Sequence, residues 1–160
     1  MRLLFLLACC ILSLGTFAQT LESLLDDARY PEALNQLDNE LQVNPHHTAR
    51  LLQKAEVLIR LGRFNEASKI LQTLAPDETG PRLLTVRGLL HLNQGRADLA
   101  LDQLNLALDA FGKVGQRESL DAAEALTVFS TVYLQQGKAA QAEQQMQVAL
   151  AIRQKLVQPR

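Results

Sequence analysis

The residues able to do chemistry are few and scattered. Three histidines, His46, His47 and His91, are the natural metal ligands of the chain. A transition-metal site takes three or four ligands converging on one point. His46 and His47 are neighbours in a loop after Asn44-Pro45, with no third ligand at a fitting spacing. His91 stands mid-helix on or beside an apolar face, which suits packing or groove lining. Asp26-Asp27 precedes a turn and reads as a solvated helix end. Ser130-Thr131 has no histidine within helical reach, so neither hydroxyl has a base to activate it. The glycines are isolated, whereas a phosphate loop needs clustered backbone N–H groups. The reading is therefore no catalytic residue, no metal, no cofactor and no small-molecule substrate: not an enzyme.

The elements that would position these residues begin after the N-terminus. Arg2, an apolar run from Leu3 to Leu14, and the small-residue stretch Thr16-Phe17-Ala18 form a signal-peptide pattern cut after Ala18. The apolar run is too short to span a hydrocarbon core of ~30 Å as a helix. An uncleaved anchor, or lipidation at Cys9 through Leu6-Leu7-Ala8-Cys9, is the alternative. Residues 1–18 are thus read as a leader and 19–160 as one domain, exported to a bacterial periplasm or, alternatively, secreted or membrane-anchored. Both cysteines, Cys9 and Cys10, fall inside the leader. The remaining chain of about 140 residues is then free of disulfides and must hold itself by core packing. The formal net charge of −1 argues against nucleic acid, whose backbone calls for a basic stripe.

Four strings recur within that domain: DARYPEA (27–33), LGRFNEA (61–67), QGRADLA (94–100) and QGKAAQA (136–142). Their closing residues Ala33, Ala67, Ala100 and Ala142 are 34, 33 and 42 residues apart. Each string separates two amphipathic patterns. Leu51, Leu52, Ala55, Leu58 and Ile59 mark one helix face, Gly62-Arg63 breaks it, and Phe64, Ala67, Ile70, Leu71 and Leu74 mark the next until Pro76. Glycine serves as a left-handed helix stop. Alanine lets two antiparallel helices approach closely. Pro31 and Pro81 fit first helical turns.

With glycine before the turn (Gly62, Gly95, Gly137), an aromatic or small residue after it (Tyr30, Phe64, Ala97, Ala139) and the packing alanine, the chain resembles the tetratricopeptide repeat family, a 34-residue helix–turn–helix unit. Pro45 matches that family's closing proline; the usual early tryptophan is absent and only Gly88 keeps the mid-helix glycine. The resemblance implies an all-α, right-handed α-solenoid of antiparallel helix pairs, about three and a half repeats, with units near 19–47, 48–80, 81–118 and 119–157. The long third interval is expected to extend a helix through Ala110-Phe111 and to build a loop over 112–118, with Ser119 as the next N-cap.

The resemblance also implies that the first helix of each unit lines a concave groove. Its partner-binding residues would be Leu52, Glu56, Ile59, Arg60, Arg82, Thr85, Leu89, Asn93, Thr127 and Gln135, with Arg60 and Arg82 as polar anchors. The basic and amide set with which some family members clamp a C-terminal carboxylate is missing, so a cytosolic chaperone-adaptor role finds no support. The expected function is a protein–protein scaffold holding a peptide or helix; the alternative is a regulatory or recruiting module of a larger enzyme or envelope assembly. The last helix, about 139–157, carries an apolar edge (Met146, Leu150, Leu156, Val157). That edge predicts docking on a partner, a homodimer through the C-terminal helix, or a chain that is a piece of something longer.

Overall fold

The computed structural model describes residues 20–74 and 80–157. The expected leader and Pro76 lie outside the described residues. Among those described there are eight helices and no strand: α1 (Leu21–Asp26), α2 (Tyr30–Val43), α3 (Thr48–Arg60), α4 (Phe64–Thr73), α5 (Pro81–Asn93), α6 (Ala97–Lys113), α7 (Leu120–Gln135) and α8 (Ala139–Val157). They pack as the pairs α1·α2, α3·α4, α5·α6 and α7·α8, and each later pair rests on the one before through its own first helix: α3 on α2, α5 on α3 and α4, and α7 on α6 and α5. The chain is an α-solenoid.

The turn inside each pair is set by local chemistry. Gly62, Gly95 and Gly137 stand at φ +73°, +73° and +72°, where a Cβ would press on the following carbonyl. Each is followed by an N–H that reaches five residues back: Arg63 to Leu58 at 2.8 Å, Arg96 to His91 at 2.9 Å and Lys138 to Tyr133 at 2.9 Å. This pairing satisfies carbonyls that a helix end otherwise leaves without a partner. The first unit makes the same turn without glycine, since Ala28 takes φ 55° and Arg29 donates to Leu24 O at 2.8 Å.

The recurring alanines do what their size allows: Ala33, Ala67, Ala100 and Ala142 are all buried against the first helix of their pair. Opposite Ala100 the contact is tighter still. A Cβ added at Gly88 would lie 2.8 Å from Leu104 Cγ and 3.4 Å from the Ala100 carbonyl oxygen. In the last unit the corresponding position is Ser130, whose Oγ donates to the Ala142 carbonyl at 2.8 Å. The residue matching Leu104 there is Met146, unbranched and able to bend aside. Gly88→Ala should therefore lower stability by about 1–3 kcal/mol in urea titration, the usual cost of overpacking. Leu104→Met in the same chain should recover much of that loss.

The uneven third interval lengthens α6 through Ala110-Phe111, as expected, and on to Lys113, so Gly112 and Lys113 are helical and not part of the expected loop. It then closes with Gly115 at φ +71° and Gln116 N–H on Phe111 O at 2.8 Å. Ser119 caps α7, its Oγ accepting the Ala122 N–H at 3.1 Å. Phe111, the largest fully buried side chain, anchors the extended end of α6 against the α5–α7 core.

Candidate interaction surface

The first helices α3, α5 and α7 lie side by side, and the groove residues expected from sequence all sit on them. The structure divides those residues into three groups. Leu52, Ile59 and Thr85 are buried, so they pack and do not present themselves to a partner; this corrects their assignment to the groove. Ile59 belongs to the core between units, and the Thr85 hydroxyl donates to the Pro81 carbonyl at 3.1 Å within its own helix. Neighbouring helices cover these positions more completely than a single helix wheel implies.

Glu56 and Arg82 form the second group and are partners of each other. Arg82 donates to Glu56 at 3.1 Å and to Asp121 at 3.0 Å, so one guanidinium bridges α3, α5 and α7. Burial pushes the Glu56 carboxyl up to about 7 despite Arg82, and the nearby Glu124 adds to the rise. Arg82 is thus a clamp between units and not the free anchor expected from sequence. Asp121 went unrecognised as its third member. Its place in the first turn after the Ser119 cap suits a helix-dipole role equally well, so nothing local marks it.

The third group remains open to solvent or partly so: Arg60, Leu89, Asn93, Thr127 and Gln135. Arg60 lies exposed over the Tyr30 ring, 5.9 Å from its centroid, in the range of a cation–π contact. No salt bridge holds it among the described residues. Asn93 turns its amide onto the Leu89 carbonyl at 2.9 Å. Thr127 accepts from Arg153 of α8 at 3.1 Å, which ties the last helix to this face. The arrangement is a ridge of aliphatic and amide groups with one exposed cation, suited to contact by another polypeptide.

The histidines fall elsewhere. His46 is exposed, His47 immediately precedes α3, and His91 is partly buried, where burial and Arg96 lower its pKa. Among the described residues no group of three or more His, Cys, Asp or Glu could hold a metal ion, and no helix is long and apolar enough to cross a membrane.

Tetratricopeptide repeat models match residues 24–90 and 82–155 and together take in nearly every helix. The chain belongs to the tetratricopeptide repeat family, whose units are as a rule non-catalytic interaction modules. Among curated proteins it is similar to the "DnaJ homolog subfamily C member 7 homolog" of Dictyostelium discoideum, 35% identical over 77 residues, 48% of this chain and 14% of that protein. The chain therefore spans only a small part of that relative. Among solved structures it is similar to MamA 41-end from Desulfovibrio magneticus RS-1, with TM-score 0.56 and 15% identity, covering 88% of this chain and 75% of that one. It is also similar to BtubC from P. vanneervenii, with TM-score 0.54 and 22% identity over 86% of this chain and 58% of that one. Identities this low speak for the fold alone.

Proposed function

We propose that this protein is an exported adaptor of the bacterial cell envelope that acts by protein–protein contact, holding an extended or helical segment of a partner along α3, α5 and α7. Repeat architecture and family membership support the scaffold role. Export rests on the N-terminal pattern of Arg2, the apolar run and Ala18. The observation that carries the site is the division of its two expected anchors. Arg82 is spent within the fold, whereas Arg60 is exposed and orientated by Tyr30. An acidic or carbonyl-rich partner segment would meet that cation, with Leu89 supplying apolar contact.

Arg60→Glu should remove the partner recovered with the protein from an envelope extract, while the helical circular dichroism stays as in the wild type. An unchanged set of recovered proteins would overturn the assignment. A second reading, a recruiting or regulatory module of a larger protein, is favoured by one observation: the curated relative carries its matching stretch within a much longer chain. An in-frame catalytic domain beyond residue 160 in the coding sequence would favour that module; a stop codon there would favour the adaptor.

A further inference from the structure

At its last unit the solenoid exposes a seat that every earlier unit fills. Leu134 of α7 is 58% exposed, yet the residues at its repeat position, Ile59 and Leu92, are 1% and 5% exposed. Met146 is partly exposed where Leu71 and Leu104 are buried. Together with Ser130, Ala139, Ala142 and Leu150 these residues line an open groove of about 420 Å³ between α7 and α8. In the third unit the matching residues Leu92, Ala97, Ala100 and Leu104 are covered by Phe129 and Val132 of α7. The groove is the empty counterpart of an interface that the chain builds three times within itself.

We propose that this groove seats an amphipathic α-helix of another protein, in the position that α7 takes on α5 and α6. The internal interfaces define what such a helix must carry. Residues facing the preceding unit recur at i, i+4 and i+7: Arg50, Lys54 and Val57 in α3, Leu83, Arg87 and Leu90 in α5, and Ala125, Phe129 and Val132 in α7. A partner helix needs an apolar residue at the last of these positions, as Val57, Leu90 and Val132 are. At the middle one a basic residue fits: Arg87 reaches the Leu71 carbonyl at 3.2 Å, and a cation placed likewise on Met146 would meet Glu143, one turn away on the groove rim.

Among the described residues, a second copy of this chain stacked head to tail would offer only α1. The same spacing in the first unit gives Thr20 and Ser23, and Thr20 is the N-cap of a helix of only 6 residues. That edge is hydroxyl-bearing and short, so head-to-tail stacking would bring little apolar surface to the groove. The expected occupant is foreign, helical and basic on one flank.

The probe is a synthetic peptide of residues 119–136, stapled on its outward face so that helix formation does not weaken binding, beside the same peptide with Phe129→Arg. Both should bind the full chain in fluorescence anisotropy, the Phe129→Arg peptide more tightly. Leu134→Glu and Met146→Glu in the protein should each weaken binding by ~10-fold or more, because a carboxylate would be buried under the helix. Lys69→Glu, at an exposed position of α4, should leave it unchanged. Absence of saturable binding by either peptide, or binding indifferent to Leu134→Glu, would overturn the proposal. So would a dimer in light scattering that Leu134→Glu dissolves, since a second copy would then hold the groove.

Discussion

Phe111→Ala is expected to lower the unfolding free energy by about 3–5 kcal/mol, the range for truncating a fully buried aromatic. The ring is 1% exposed at the end of α6, within the core shared by α5, α6 and α7. A groove of about 300 Å³ already borders it, lined by Leu108, Arg117, Ala122 and Leu126 among others. Truncation would open that space further. In a stacked array the loss is local to one junction. Urea titration should therefore show a lowered midpoint, and hydrogen exchange should rise first in α7 and α8 while α2 and α3 keep their protection. Leu99→Ala, at an exposed position of the same helix, should change stability by less than about 0.5 kcal/mol.

Arg82→Met should be the most pH-dependent change in the molecule. It leaves Glu56 buried with Glu124 nearby, without its hydrogen-bonded cation and with only the weaker influence of Arg60. Stripping one partner from a buried pair costs about 3–5 kcal/mol; because Arg82 is partly solvated, about 2–3 kcal/mol is expected at pH 8. At pH 5 the Glu56 carboxyl is already protonated and the cost should shrink toward that of the Asp121 contact alone. The wild type carries its own pH signature. Glu56 holds its proton more tightly folded than unfolded, its pKa being raised from 4.5 to about 7. Its contribution is thus fully present below about pH 4.5 and is lost as pH rises through about 7, with an upper bound near 3 kcal/mol. Glu56→Gln should flatten the stability profile between those values, read from urea midpoints across the range.

What the sequence made legible was local. The turn strings announce Gly62, Gly95 and Gly137 because a left-handed residue and a small contact residue leave chemical marks within seven positions. The extension of α6 and the Ser119 cap are legible for the same reason: spacing and cap chemistry lie along one stretch of chain. The proposed interaction face was legible only as a set of helices. Leu52, Ile59 and Thr85 read as groove residues on their own helices but are covered by neighbouring ones, which no single-helix pattern contains. The Arg82 clamp escaped notice because its partners stand 26 and 39 residues away. The empty seat at α7 and α8 needed both views: repeat spacing to say which residues correspond, and burial to show that Leu134 alone among its counterparts lacks a cover.

The central claim is that a partner lies along α3, α5 and α7. Its most direct test is photo-crosslinking in the native envelope, with a photoreactive amino acid placed at Asn93 on that face or at Lys69 on the outer side of α4. Both positions are exposed, so neither should disturb folding. The account predicts one dominant covalent adduct from position 93, lost when Arg60→Glu is introduced, and none from position 69. Adducts from position 69 with none from position 93 would contradict it.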